Sequence, residues 1–558
     1  MNAVRDAFDQ TVAEYYGAWF HYHPEAAVDA GVEGYADRLS PHGDDDIGAL
    51  VSLNETLMAA LDEISPDALD AGRRIDYRIL YGAALIEHHE LMEQDWRRRD
   101  PARFLPVQAI YQLTVRPVAN LAEALVSRLE RIPAHLRSAR QQLLVAPPLI
   151  PRVWLQAAVQ EAKQGAAFLR SLPEHPKVGR AFPNRARIAE PLERAGRGLD
   201  EFAHFLEQEI GSDAAGSFAC GTSHYERILR HRHFIDCGAE RLHRFGTRLF
   251  EQTFEQLREV TRRLRGDEDV AALAASLRRD HPDAKGLLGV YRHQMQAARR
   301  FLERHDLVGL PAVETLHVVD TPAFLRHQIP FAAYMQPAPS DRDQVGYYYV
   351  TPADDEEQLG EHNRPGIMHT CVHEAWPGHH LQFVTANQRP GSRTLPRLLN
   401  PSATLYEGWA LYCEQLMREQ GFLDRPEQEF ILLRDRLWRA LRVQLDVELQ
   451  SGELSFADAT ARMRDALGFT ERQASADLVW YTRAPGVPMG YALGWALINA
   501  ARERLQSEAG DFKLRSFHDR LLAAGSVALP LALEAGFGAD LRQAALDAVL
   551  GHGSGRAN

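Results

Sequence analysis

Apolar residues recur at intervals of three and four along most of the chain, which predicts helices rather than strands. Leu121, Leu125, Leu129 and Ile132 form one such run. Segments with this periodicity cover residues 4–20, 73–96, 117–144, 151–172, 224–265, 287–304, 426–450 and 490–506. Proline-rich breaks such as Ala146-Pro147-Pro148 separate them. Two short runs differ. Residues 315–319 (T-L-H-V-V) and 346–350 (G-Y-Y-Y-V) are rich in β-branched and aromatic residues and predict strands. The expected architecture is mainly α with a small sheet. We expect an N-terminal helical lobe over 1–310, acting as cleft wall or lid, and a C-terminal lobe over 311–558 that carries the chemistry. No Ser/Gly-rich linker and no internal repeat marks the join.

The chemistry concentrates at His373–His380, which reads H-E-A-W-P-G-H-H. A zinc-peptidase helix usually carries H-E-x-x-H, which puts two imidazoles on one face with the Glu beside the attacking water. Here Pro377 occupies the position of the second His, and the next imidazoles are His379 and His380. On a straight helix, six residues turn about 600°, and seven rise about 10.5 Å. Neither brings two nitrogens to within roughly 2.0–2.1 Å of one ion. A regular helix therefore fails. Pro377 has no N–H and crowds the preceding turn, and Gly378 frees the backbone. A bulged turn at these two residues would return His379 to the face of His373, with Glu374 as the base.

A third ligand is sought downstream. Residues 406–414 read Y-E-G-W-A-L-Y-C-E, with Glu407 and Glu414 on one helical face. Two His and one Glu leave a position open to water, as in catalytic rather than structural zinc sites. Glu407 is the first choice, with Glu414 as substitute ligand or as partner to a ligating imidazole. His369 lies one turn before His373 but has no Glu beside it.

His373-Glu374, Pro377-Gly378-His379, Gln382 and Glu407-Gly408-Trp409-Ala410 together resemble the bacterial "domain of unknown function 885" family. The resemblance spans nearly the whole chain, as far as F-H-D-R-L-L-A-A-G at residues 517–525. It implies a helical, gluzincin-like zinc peptidase, distantly similar to thimet oligopeptidase, carboxypeptidase Taq and angiotensin-converting enzyme. It implies His373, His379 and Glu407 as ligands of one zinc, with His380 a neighbour of the site. The family's P-G-Q-A-x-x-Y-x-x-G pattern is similar to Pro485-Gly486, Tyr491 and Gly494, while Val487 and Pro488 depart from it. Tyr491 is the natural donor to an oxyanion, and Arg483 either helps or holds a substrate carboxylate.

Zincins commonly receive an extended substrate on an edge strand beside the active helix. On that basis residues 346–350 take this place, and Tyr348, His380 and Gln382 are the expected substrate contacts. Net charge is −13, from 63 basic and 76 acidic residues, which disfavours non-specific nucleic-acid binding, and no nucleic-acid partner is expected. No run is long and apolar enough to span a membrane, so no membrane partner is expected. Four cysteines (Cys220, Cys237, Cys371 and Cys413) make no disulfide framework. The first residues show no apolar leader, which gives a cytoplasmic location as default, although many relatives in the family look like exported proteins or lipoproteins. The expected activity is hydrolysis of short peptides of oligopeptidase or carboxypeptidase type. The alternatives are hydrolysis of a small non-peptide amide, such as an acylated amino acid, and an inactive peptide-binding scaffold. Oligomeric state is not legible.

Overall fold

Asn120 starts a long helix, α1 (Leu121–Leu143), by accepting a hydrogen bond from the Glu123 amide. In the computed structural model of the protein, Leu125, Leu129 and Ile132 of that helix are fully buried, as their spacing requires. The structure describes residues 2–551 apart from 323–325, 327, 328, 330, 354 and 509. Helices α2 (Arg152–Ser171) and α3 (Ala186–Phe205) pack with α1 into the core of a first unit. This unit comprises residues up to Phe218, joined by Ala338–Asp341 later in the chain.

The second unit begins at Ala219, earlier than the sequence-based join at 310/311. Helices read from sequence as part of the first lobe pack here instead. The segment 224–265 is two helices, α4 (Thr222–His231) and α5 (Ala239–Arg265). Gly238 is extended and closes the gap between them as the N-cap of α5. α6 (Leu287–His305) leads into the sheet strands β1 (Thr315–Asp320), β2 (Ala332–Met335) and β3 (Val345–Val350). The order is β1-β3-β2, with β1 parallel and β2 antiparallel to β3. This corrects the expected substrate strand. β3 has both edges spent on its neighbours, and β2, missed in the sequence, ends the sheet. With only Ala-Ala-Tyr-Met to show, β2 is too short for its alternation to be read.

Five further helices build the site: α7 (Arg364–Glu374), α8 (His379–Gln388), α9 (Ala403–Glu419), α10 (Pro426–Ser451) and α11 (Gly490–Glu508). α10 is buried on nearly all faces and is the axis of the unit. A Cβ at Gly246 of α5 would lie 2.8 Å from Cβ of Val443, so α5 rests directly on α10.

Candidate active site

The helix carrying the His-Glu signature is interrupted where the sequence requires it. α7 ends at Glu374, Ala375 leaves helical geometry, and α8 starts at His379. The Gly378 amide donates to the Val372 carbonyl at 3.0 Å. A Cβ on Gly378 would lie 1.7 Å from the His373 carbonyl oxygen, so only glycine fits this turn. The Trp376–Pro377 peptide is cis, and Trp409 Nε1 donates to the Pro377 carbonyl at 2.8 Å. The bend places the His379 ring beside the His373 ring, their centroids 4.8 Å apart and their planes nearly perpendicular.

Glu407, one turn into α9, completes the group. Its Oε2 lies 3.5 Å from His373 Nε2 and 3.3 Å from His379 Nε2. Ligand atoms of the three residues all fall within 4.8 Å of one another. Burial pushes the Glu407 carboxyl up, but the His379 and His373 imidazoles more than offset this and hold it well below the usual carboxylate range. Glu407 Oε2 is nonetheless buried without an aligned hydrogen-bond donor. A buried carboxylate oxygen facing two imidazole nitrogens is the donor set of a divalent cation, and these residues fit one.

Glu414, two turns on, takes the other nitrogen of His373. His373 Nδ1 donates to its Oε1 at 2.7 Å, which turns Nε2 toward Glu407. Glu414 thus orients the His373 ring and stands outside the group formed by His373, His379 and Glu407. Glu414→Ala is expected to weaken metal binding by about 10–100-fold, the usual cost of losing such a partner, measured by competition with a chelator.

A cavity of about 440 Å³ opens on this group, and every residue lining it belongs to the second unit. Glu374, Tyr491 and Tyr406 line it, as do Ala332, Ala333 and Tyr334 of β2. Burial, and then Glu407, push the Tyr491 hydroxyl well above its ordinary value despite the nearby Arg442 and Arg439, so it keeps its proton and can donate. Asp435, Arg439 and Arg442 of α10 also line the cavity. These three were missed, although a signal existed. They are charges at spacings of four and three and so share one helical face, although Arg434, Arg436, Asp446 and Glu448 elsewhere on the same helix blur the pattern.

The family described as "Bacterial protein of unknown function (DUF885)" matches residues 24–535. The chain belongs to the DUF885 family. The DUF885 fold recurs in a "putative lipoprotein of unknown function" from Shewanella oneidensis, with TM-score 0.77, 21% identity, and coverage of 96% of this chain and 99% of that one. It recurs in a "putative lipoprotein" from Colwellia psychrerythraea, with TM-score 0.79, 17% identity, and coverage of 97% and 99%. Trypanosoma cruzi metallocarboxypeptidase 1 aligns over 98% of this chain and 99% of its own at 12% identity, with a TM-score of 0.40 that carries no argument. No curated protein matches the chain. The cytoplasmic default is withdrawn, since two chains with this fold are described as putative lipoproteins. That default rested on a leader not being legible, which says nothing of compartment. Among the described residues of this DUF885 chain, no helix is long and apolar enough to cross a membrane.

Four of the expected contacts do not line the cavity. Tyr348 is fully buried, its ring 5.5 Å from that of Tyr291. His380 is held by Glu314 at 3.1 Å and Tyr334 at 3.0 Å, which leaves both ring nitrogens engaged. Gln382 donates to Ser526 Oγ at 2.9 Å, tying α8 to the segment just after residues 517–525. Arg483 ends the helix Glu471–Arg483, ahead of the loop that leads to Tyr491. His369 donates Nε2 to the Gln428 carbonyl at 2.9 Å and lines the cavity, but it stands outside the His373, His379 and Glu407 group. Cys371 and Cys413 are buried thiols whose burial pushes them well up, so neither is a nucleophile.

The loop before Tyr491 is braced by Asp446 of α10, which accepts from the Gly486 amide at 3.2 Å, the Met489 amide at 3.3 Å and the Tyr225 hydroxyl at 3.0 Å. Burial outweighs these donors and pushes the carboxyl up from 3.8 to about 7. The folded chain then keeps a proton that the unfolded chain releases. This contribution to stability is full below pH 3.8 and is lost as pH rises to about 7. Comparing melting temperatures across that range, Asp446→Asn is expected to show a shallower decline with pH than the wild type. Parallel curves would mean that Asp446 is ionised in the fold.

Proposed function

We propose that this protein is a zinc-dependent peptidase acting on short peptides. The observation that carries the reading is the convergence of His373, His379 and Glu407 around a buried carboxylate oxygen, at the wall of a cavity that Glu374 also lines. Zinc held there would polarise the scissile carbonyl and the attacking water. Glu374 accepts a proton from that water and passes it to the leaving amine nitrogen. Tyr491 donates its hydroxyl proton in a hydrogen bond to the developing oxyanion. Glu414 holds the His373 ring in the required tautomer. The substrate lies beside the end strand β2. A cavity of about 440 Å³ suits a few residues of peptide rather than a folded protein.

Elemental analysis tests the reading directly. We expect about one zinc per chain in the wild type, lost in both His379→Ala and Glu407→Ala. Hydrolysis of a short-peptide panel should stop on chelation and return with zinc. A wild type that takes up no metal after reconstitution, or cleavage indifferent to chelator, overturns it.

A further inference from the structure

Three of the four acidic side chains lining the cavity serve the chemistry above: Glu407 as ligand, Glu414 on His373, and Glu374 as base. The fourth, Asp435, stands beside two arginines, Arg439 and Arg442, that the proposed reaction does not use. Both are nearly withdrawn from water, with side chains 12% and 6% exposed. Arg442 donates Nε to the Tyr481 hydroxyl at 2.5 Å and Nη2 to Asp477 at 3.4 Å, while its buried Nη1 has no acceptor. Arg439 is less satisfied. Its nearest carboxylate, Asp435, is 4.0 Å away, beyond hydrogen-bond reach, and its buried Nε and Nη1 have no acceptor. A guanidinium stays charged at any working pH, so it cannot escape burial by losing its proton. Two such groups in one wall, with hydrogen-bonding capacity left over, call for an anion.

We propose that Arg439 and Arg442 bind a carboxylate of the substrate, so that the enzyme acts on peptides presenting a carboxylate close to the scissile bond. This rests on the peptidase reading and specifies its substrate class. Tyr491 connects the two ends of the site. Its ring lies 4.6 Å from the Arg442 guanidinium and 5.8 Å from that of Arg439, and it lines the same cavity as Glu407. A carboxylate on the arginines therefore lies in the same cavity as the metal-ligating group, with Tyr491 beside both. A monoanion fits better than a phosphate dianion, because four carboxylates already line the cavity. The planar fork of each guanidinium also matches a carboxylate in two-point contact.

The test measures binding and cleavage separately. Calorimetry on zinc-reconstituted Glu374→Gln protein compares a tetra-alanine free acid, its C-terminal amide, and an amidated peptide ending in Glu. The same peptides are offered to the wild type for hydrolysis. We expect at least one carboxylate-bearing peptide to bind about 30-fold more tightly than the uncharged amide, the scale of a charge-assisted pair. Arg439→Gln should erase that preference by weakening the acid alone, and Arg439→Lys should restore part of it. Tight binding of the free acid assigns a C-terminal carboxylate. Tight binding of the amidated Glu peptide assigns an acidic side chain. Either supports the proposal, even if no peptide is cleaved and the peptidase reading falls. Equal binding of all three peptides overturns it, and so does absence of binding. If the wild type still cleaves the amide as fast as the acid, the peptidase reading survives without it. The acid–amide comparison needs no arginine variant, so a misfolded Arg439→Gln would not blunt it.

Discussion

Glu374→Gln is expected to lower kcat by about a thousandfold while leaving zinc content and KM near their wild-type values. The magnitude is that of a positioned general base, about 10²–10⁴. Glu374 closes α7, next to His373, and lines the cavity without belonging to the ligand group. Glutamine keeps its shape and can still hydrogen-bond water, but it cannot take the proton. The metal set of His373, His379 and Glu407 is untouched, so elemental analysis should give wild-type stoichiometry. A fall in kcat together with loss of metal would instead show that Glu374 supports the bend. Undiminished kcat would remove the base from the mechanism, since the other carboxylates near the ligands are already committed: Glu407 to the imidazoles and Glu414 to His373 Nδ1.

The helical body was legible because amphipathic periodicity survives in long elements. Residues 151–172 and 426–450 read as helices and fold as Arg152–Ser171 and Pro426–Ser451. The bend in the signature was legible for a local reason. Pro377 and Gly378 cannot continue the hydrogen-bond ladder, and the chain breaks between Glu374 and His379. Glu407 and Glu414 were legible as neighbours on one helical face, and in the fold both lie beside His373. The resemblance to the DUF885 family holds over residues 24–535. What failed depended on contacts between segments distant in sequence. A run of three tyrosines looks the same whether it lies at the end of a sheet or between two strands, and the pairing with Ala332–Met335 decided that. Arg483 was favoured for its nearness in sequence to Tyr491, whereas Arg439 and Arg442 reach the cavity from α10. His380 was drawn in by adjacency to His379, yet successive helical residues point in different directions, and His380 turns to Glu314.

Gly494→Ala is expected to damage stability and metal binding together, although no ligand is changed. Gly494 lies on α11, one turn after Tyr491, against α9, one turn after Thr404. A Cβ at Gly494 would stand 2.0 Å from the Thr404 carbonyl oxygen and 2.7 Å from Gly408 Cα. From the other side, a Cβ at Gly408 would meet Gly494 Cα at 2.5 Å. The two helices touch backbone to backbone, and nothing flexible can give way. Forcing a methyl group into this crossing should cost about 1–3 kcal/mol by overpacking. The same displacement separates Glu407, the neighbour of Gly408, from Tyr491. Weaker zinc retention and a lower kcat should therefore accompany the fall in melting temperature. Gly17→Ala is the matched control: it lies inside the helix Asn2–Tyr22 with nothing within 4 Å of the added Cβ. There the expected sign is opposite, a gain of about 0.5–1 kcal/mol from helix propensity, with metal content unchanged. If Gly494→Ala were tolerated as well as Gly17→Ala, the α9–α11 crossing would have slack, and the register between Glu407 and Tyr491 would need another source.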